Sequence, residues 1–176
     1  MADPVDHLRT VAKVLDDLRR IGFDPVLVGG MALVVLGSRR VTRDFDFVMA
    51  SPGEQCERLV GVFYARHLEL ASRLDETGEV VATISSRRVA RIRLRIDKPA
   101  TAHFINPRTR LRIDALFDFP VSAAELAAHA SRRRIASSFF RVASEPDLLR
   151  LKRIAMAARS APGDAEDVAF LESRVR

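Results

Sequence analysis

The sequence predicts an α+β fold (mixed α/β), in which a mixed sheet is flanked by helices. Segments with the helical spacing of apolar residues alternate with short strand-like segments in the first half of the chain. Several strand-like segments then follow one another before the pattern returns to helices. The length of 176 residues is enough for one domain with a small appendage, and it excludes a large multidomain protein.

The N-terminal elements follow from a change of period along the chain. Apolar side chains every three or four residues predict helices, whereas alternation of apolar and polar side chains predicts a half-buried strand. A diglycine, Gly29-Gly30, separates the first predicted strand from the second predicted helix. The predicted bounds in this part are helix 5–21, strand 25–28, helix 31–36 and strand 44–49.

The remaining elements are predicted in the same way. Turn residues such as Asn106-Pro107 separate the strands, and Ser144 begins a capping box with Pro146 in the first helical turn. The predicted helices are 54–72, 123–130, 145–159 and a last one from 164, and the strands are 80–84, 89–96, 102–105, 111–117 and 135–142. Strands give way to helices near Pro120. The sequence therefore predicts one domain over 1–120 and a mainly helical part over 121–176 packed on it.

Composition indicates a folded protein that favours anionic partners. Hydrophobic residues make up 48% and charged residues 30%, which argues against disorder. The formal net charge is +6 from 29 basic and 23 acidic residues, a balance that favours phosphate-bearing partners. Only Lys13, Lys98 and Lys152 among the basic residues are Lys, and an arginine excess of this kind is also typical of GC-rich genomes.

Cysteine content and hydropathy predict the cell compartment. Cys56 is the only cysteine, so an internal disulfide is excluded and a reducing environment is favoured. No apolar run approaches the roughly 18 residues of a membrane span. We therefore expect a cytoplasmic protein that does not bind a membrane.

Asp44 and Asp46 are the first candidates for chemistry. They lie two residues apart in a predicted strand, so both carboxylates project from one face while Phe45 and Phe47 project from the other. Two adjacent carboxylates repel each other unless a cation lies between them. Oxygen ligands suit Mg²⁺ or Mn²⁺, whereas the four dispersed His and one Cys offer no zinc-ligand spacing.

Asp114 is the candidate for a third carboxylate. It lies on the polar side of the predicted strand 111–117, next to Arg112. Asp118 is its competitor, but it lies at the end of the predicted strand near Pro120, as expected of a turn residue. Three carboxylates around divalent cations are typical of phosphoryl-transfer sites.

The diglycine is the candidate for phosphate binding. Gly29 and Gly30 have no side chains, so backbone N–H groups at the start of the following helix are open to a phosphate. A Gly pair at such a turn also serves close packing. The downstream arginines Arg39, Arg40 and Arg43 favour the phosphate interpretation, because a guanidinium binds phosphate by paired hydrogen bonds. The sequence does not distinguish which arginine would contact a triphosphate.

The run VLVGGMALVVLGSRRVTRDFDFV resembles the opening motif of the polymerase β-type minimal nucleotidyltransferases, with Asp44-x-Asp46 after the glycines. The family includes AbiEii-type and MenT-type toxins, which the chain resembles most, and lincosamide nucleotidyltransferases. The segment RLRIDALFD is similar to the strand of the third carboxylate, at Asp114. The resemblance implies a palm-like fold, metal ions held by the three aspartates, and an NTP substrate such as ATP.

The C-terminal segment SEPDLLRLKRIAMAARSAPGDAEDVAFL is similar to that of the toxin group. This resemblance implies that Lys152 binds the nucleotide. The same resemblance includes Asp164 and Asp167, for which helix capping is the preferred interpretation. The basic residue usual before the first of these aspartates is Gly163 in this chain. Gly30 stands where many relatives have Ser.

The sequence leaves two functions open. The first is metal-dependent transfer of a nucleoside monophosphate from NTP to an acceptor hydroxyl on RNA such as tRNA, a protein or a small molecule, including a toxin that pairs with an antitoxin. The second is a catalytically inactive palm-like module that binds RNA or a partner protein through a basic face. The predicted strand 89–96 carries such a face, because Arg91, Arg93 and Arg95 alternate with apolar residues.

Overall fold

The computed structural model describes residues 4–159 and 161–175. Eight strands and seven α-helices are formed within these residues, together with one short 3₁₀-helix over Gly53–Gln55. The helices are α1 Pro4–Arg20, α2 Gly29–Val35, α3 Cys56–Tyr64, α4 Arg87–Asp97, α5 Ala123–His129, α6 Glu145–Ala158 and α7 Asp164–Val175. The strands are β1 Val26–Val28, β2 Phe45–Met49, β3 Glu69–Leu74, β4 Val80–Ile84, β5 Thr101–Ile105, β6 Arg112–Phe117, β7 Ser131–Ile135 and β8 Ser138–Val142. The predicted fold class is confirmed.

All eight strands form one mixed sheet, in the order β4-β3-β5-β6-β2-β1-β8-β7. The pairs β2–β6 and β1–β8 are parallel, and the other neighbours are antiparallel. The hairpin β7–β8 thus extends the sheet beyond β1. At the centre of the sheet, β2 lies between β1 and β6, so residues from three distant parts of the chain meet there.

The core covers one face of the sheet and much of the other. Phe47, Phe104 and Ile113 are fully buried, and Phe104 stacks on Phe63 of α3 with 3.8 Å between the ring centroids. Burying each large apolar side chain stabilises the fold by about 1.5–3 kcal/mol. No helix within residues 4–159 and 161–175 has the length and apolar character that crossing a membrane requires.

The segment predicted as a cationic strand over 89–96 is instead helix α4. Ser86 caps this helix by accepting a hydrogen bond from the backbone N–H of Val89. The buried residues Ala90 and Leu94 are four apart, the helical spacing, and α4 packs against α3. Arginine, leucine and alanine favour helix, so packing on one face overrides the local alternation. The predicted one-sided cationic strand is therefore wrong.

Two other predicted elements differ in extent. The predicted helix 54–72 ends at Tyr64, and Glu69–Leu74 then forms β3. The positive φ of His67 turns the chain between these two elements. The predicted strand 135–142 is the hairpin β7–β8, with Ala136 at positive φ in its turn. No Gly or Asn marks that turn in the sequence.

Candidate active site

The three predicted carboxylates come from two neighbouring strands. Asp46 and Asp114 are register partners in the parallel pair β2–β6, and Asp44 lies two residues before Asp46. Phe45 and Phe47, between and after these aspartates, are buried in the core. Strand alternation therefore directs Asp44 and Asp46 to the opposite face, as the sequence predicts.

Asp114 is already neutralised by an arginine. Nε and Nη2 of Arg112 donate to its two oxygens at 2.8 and 2.9 Å, a paired arrangement. Nη1 of Arg112 donates to the carbonyl oxygen of Gly78, in the turn between β3 and β4, at 2.8 Å. Nδ1 of His103 lies 2.9 Å from Oδ1 of Asp114 and 3.1 Å from Nη2 of Arg112. Since a single ring nitrogen cannot donate to Asp114 and accept from Arg112 at once, whether Nδ1 carries a hydrogen decides which of these bonds forms.

The pKa of Asp46 is raised to about 7. Burial is the main cause, and the negative charges of Asp114 and Asp44 add to it. Arg112 and Lys152 oppose the rise of this pKa. Burial likewise raises the pKa of Asp44. The carboxylates are therefore close enough to repel one another.

The pKa of Asp114 moves in the other direction. Burial would raise it, but hydrogen bonds from His103 and Arg112 outweigh burial and lower it. Asp114 is only 6% exposed, so its charge depends on these two partners. Asp46 and Asp114 thus differ in ionisation although they lie side by side.

Gly29 of the diglycine lies directly against the carboxylate of Asp46. Gly29, the first residue of α2, has φ +67°, and a Cβ there would lie 2.9 Å from Cγ of Asp46. Val28, the preceding residue, is the register partner of Asp46 across β1–β2. Only glycine suits this position, because it requires both a left-handed backbone and the absence of a side chain.

Gly30 makes room for an arginine. A Cβ at Gly30 would lie 2.8 Å from Nε of Arg40 and 3.3 Å from Cβ of Thr42. The Arg40 side chain therefore passes over the start of α2. Arg39 and Arg43, the other arginines of this loop, are exposed.

The C-terminal helices hold a second cluster of charges beside the diglycine. Nζ of Lys152 lies 2.6 Å from Oδ2 of Asp167 and 3.2 Å from Oδ1 of Asp164. Nη1 of Arg40 also donates to Oδ2 of Asp167. Both aspartates are 4% exposed. Asp167 therefore links Lys152 to the arginine that lies over Gly30.

Sequence reasoning missed several members of these two clusters. Arg112 was noted only as the neighbour of Asp114, and His103 was assigned to no catalytic set. For Asp164 and Asp167 the preferred role was helix capping, whereas the structure pairs both with Lys152. The i, i+2 spacing places Arg112 and Asp114 on one strand face, which allows their ion pair but does not require it.

The donor atoms suit a hard divalent cation at Asp44 and Asp46. These carboxylates supply oxygen ligands, and a cation between them would relieve the repulsion that raises the pKa of Asp46. Both oxygens of Asp114 are bonded to Arg112, so this carboxylate would join a metal shell only after Arg112 moved aside. Within residues 4–159 and 161–175, no group of three or more His, Cys, Asp or Glu side chains is arranged to hold a metal ion.

Comparison of this architecture with solved structures shows what kind of fold it is. The fold is that of nucleotidyltransferases. The antibiotic-resistance factor ANT(2'')-Ia superposes with a TM-score of 0.61 at 13% identity, covering 99% of this chain and 86% of its own. The lincosamide antibiotic adenylyltransferase LnuA, solved with lincomycin, gives a TM-score of 0.57 at 11% identity, covering 94% of this chain and 96% of its own.

A further structure of ANT(2'')-Ia contains adenylyl-2''-tobramycin. It matches with a TM-score of 0.59 at 14% identity and covers 97% of this chain and 90% of its own. No family model and no curated protein sequence matches the chain. The structural neighbours therefore show the nucleotidyltransferase fold, and the chemistry must be argued from the site.

Proposed function

We propose that the protein is a metal-dependent nucleotidyltransferase, which transfers a nucleoside monophosphate from an NTP to an acceptor hydroxyl. The observation that carries this proposal is the register pairing of Asp46 with Asp114, together with the direct contact of Asp46 with Gly29 at the start of α2. Charged phosphates and acidic metal ligands need such a juxtaposition of backbone N–H groups and carboxylates. The nucleotidyltransferase fold supports the same function.

Each residue of the site has a defined role in the proposal. Asp44 and Asp46 hold Mg²⁺ or Mn²⁺, and Asp114 completes the ligand set when released by Arg112. A bound cation would supply charge neutralisation on the triphosphate. Gly29 and Gly30 present backbone N–H groups to the phosphates. Arg40 adds the guanidinium that lies over them, and the exposed Arg39 and Arg43 extend this basic loop toward solvent.

In the proposed reaction, the acceptor oxygen forms a bond to the α-phosphorus of the NTP while the bond to pyrophosphate breaks. The acceptor proton passes to a carboxylate, and Asp114 is the candidate because His103 lies beside it to share the proton. Residues 1–120 supply the carboxylates and the diglycine. Residues 121–176 supply Lys152 and the acidic pair of α7, which support Arg40.

The acceptor defines the biological role. Transfer to a small-molecule hydroxyl would match the antibiotic-modifying neighbours, one of which is solved with adenylyl-2''-tobramycin. Transfer to RNA, such as tRNA, or to a protein would fit a cytoplasmic toxin of the AbiEii or MenT type, controlled by an antitoxin. Giving the protein each of the four α-labelled NTPs, ATP included, in a cell lysate identifies which molecule becomes labelled.

Loss of one carboxylate tests the chemistry. Asp46→Asn removes a metal ligand without changing side-chain size, and we expect labelled transfer in Mg²⁺ or Mn²⁺ to fall by at least about 1,000-fold. Asp118→Asn is the matched control, since Asp118 is an exposed turn carboxylate that bonds only to backbone N–H groups. Full activity of Asp46→Asn would disprove the proposed chemistry.

One observation favours the alternative of a catalytically inactive module. Arg112 satisfies both oxygens of Asp114, so the third carboxylate already has its cation. The inactive module would bind RNA or a partner protein through basic residues. Calorimetry with Mg-ATP separates the two: binding heat that Asp46→Asn abolishes supports the enzyme, and absence of heat in the wild type supports the inactive module.

A further inference from the structure

The hairpin β7–β8 lies at the end of the sheet that is remote from the candidate active site. Leu27 of β1 pairs with Val142 at the end of β8 in the parallel register. Since β1 runs into Gly29, the hairpin turn at Ala136 lies at the opposite end of these strands. An open cleft of about 600 Å³ lies there between the hairpin and α1.

Strand β7 carries three consecutive arginines, Arg132, Arg133 and Arg134, all exposed at the edge of the sheet. Nε of Arg133 donates to Ser131, and Nε of Arg134 donates to the carbonyl oxygen of Ala136. None of the three forms a salt bridge with an acidic side chain of residues 6–159 or 161–175. Their terminal N–H groups are therefore open to an anion.

An exposed aromatic ring lies among these arginines. Phe139 of β8 is 45% exposed, and the guanidinium of Arg132 stacks over its ring at 3.9 Å from the centroid. Phe139 is also the register partner of Arg134. Arg132, Arg134 and Phe139 therefore share one face of the hairpin, because residues two apart or directly opposite point the same way. A ring and a guanidinium plane are both surfaces on which nucleobases stack.

The acidic residues of the cleft are already paired. Asp16 accepts from Arg19 at 3.1 Å, and Asp24 is ion-paired with Arg141. The charges within these two pairs cancel, so the cleft lining has a net positive charge from Arg132. The cleft and its edge strand therefore attract polyanions.

Charge on an edge strand has another use, because it prevents sheets from pairing edge to edge. That use does not depend on the sign of the charge or on an aromatic ring at position 139. Arg132 and Arg134, on the same face as Phe139, combine phosphate binding with base stacking instead. This combination is the one that single-stranded nucleic acids require.

We propose that the β7–β8 hairpin and its cleft bind single-stranded nucleic acid, with phosphates on Arg132 and Arg134 and a base on the Arg132–Phe139 stack. The site is separate from the carboxylates and stands whether or not the protein transfers nucleotides. Two residues along a strand are about 6.7 Å apart, so Arg132 and Arg134 are spaced to contact different phosphates.

The test is fluorescence anisotropy with a labelled single-stranded RNA of about 12 nucleotides, in EDTA and without NTP. We expect log K to fall with log salt at a slope of about −1.4, the value for two phosphate contacts to a single strand. Arg132→Glu with Arg134→Glu should weaken binding by at least about 10-fold. Phe139→Ala should weaken it by at least about 5-fold, whereas Phe139→Tyr keeps the ring and should bind as the wild type does.

The matched control is Arg88→Glu with Arg95→Glu on helix α4, which changes the net charge equally on another exposed surface. It should change affinity by no more than about 2-fold at 200 mM salt, where distant charges are screened. Equal loss in the control and hairpin variants, or duplex RNA bound as tightly as single strands, would overturn the proposal. A single-stranded DNA of the same sequence distinguishes a site for RNA from a site for any single-stranded nucleic acid. Either result supports phosphate binding by the arginines and base stacking at Phe139. Thermal unfolding of every variant verifies that it is folded.

Discussion

Gly29 and Asp46 are in contact across the start of α2, so closely that a Cβ at position 29 would overlap the carboxylate. The contact arises because Val28 and Asp46 are register partners, and the chain turns at Gly29 with φ +67°. A residue that lacks a side chain thus brings the backbone of the helix start to the candidate metal ligand. The five predictions below test this arrangement and the charges around it.

Gly29→Ala should lower the free energy of unfolding by about 1–3 kcal/mol and abolish labelled nucleotide transfer. The added methyl group displaces the Asp46 carboxylate and strains a left-handed backbone. Gly37→Ala is the matched control: φ there is +97°, but nothing lies within 4 Å of the added Cβ. Urea unfolding of both variants separates the effect of backbone strain from that of the overlap with Asp46. An equal loss of unfolding free energy in the two variants would contradict the predicted role of the overlap.

Asp46→Asn should stabilise the metal-free protein at pH 8, although it inactivates transfer. The folded pKa of about 7 lies above the ordinary 3.8, so the native state binds more protons between these values. The stability of the wild type therefore falls as pH rises through this window. Removing the Asp46 charge should raise the free energy of unfolding in EDTA by about 1–4 kcal/mol at pH 8 and by much less at pH 5.

Asp114→Asn provides the contrast to Asp46→Asn. In the wild type the pKa of Asp114 is lowered, so the charge of this carboxylate stabilises the fold at pH values above its unfolded pKa. That stability is lost as pH falls through the folded pKa. The substitution leaves Arg112 without its partner and should cost about 3–5 kcal/mol in urea unfolding at pH 8. If both Asp46→Asn and Asp114→Asn destabilise the protein at pH 8, the pKa values of the two carboxylates do not shift in opposite directions.

Lys152→Met should destabilise the fold by about 3–5 kcal/mol, because it leaves two nearly buried carboxylates, Asp164 and Asp167, without this cation. The KM for NTP should rise in the variant, since Asp167 also holds Arg40 over Gly30. Lys13→Met is the control, as Lys13 is exposed on α1. If Lys152→Met unfolds the protein, Lys152→Arg keeps the charge, and a rise in KM without loss of kcat would report the altered position of Arg40.

Asp118 should contribute stability that disappears in acid. Its pKa is lowered because the backbone N–H groups of Ala123 and Ser51 donate to its oxygens, both at 2.9 Å. The stability that its charge adds is therefore present above about pH 4 and is lost as pH falls through the folded pKa. Asp118→Asn suits the positive φ of 49° and should reduce the pH dependence of urea unfolding between about pH 2 and 5. An unchanged pH dependence would contradict this account.

Local patterns in the sequence were sufficient for elements with one strong signal. The amphipathic α1, the diglycine at the start of α2, and the alternation of Phe45 and Phe47 with the aspartates are such patterns. Ser144 caps α6 as its capping box predicts, accepting from the N–H of Asp147. In each case the residues that form the element also supply the signal, so no distant partner is needed.

Local patterns failed where two periods coexist. Residues 91–96 alternate arginine with apolar residues like a strand, yet Ala90 and Leu94 are also four apart like a helix. A strand would place Ala90, Ile92, Leu94 and Ile96 on one face. The helix α4, packed against α3, buries only Ala90 and Leu94 of these four residues. Ile96 remains 71% exposed as a consequence.

By itself, the sequence determined the fold class and the shared face of Asp44 and Asp46, because these depend on residues near one another in the chain. Only the tertiary structure decided that Arg112 and His103 hold Asp114, and that Asp167 joins Lys152 to Arg40. Charge pairing across the sheet and between distant helices depends on strand register and helix packing. Those are set by burial of the whole core and leave no mark at any single position in the sequence.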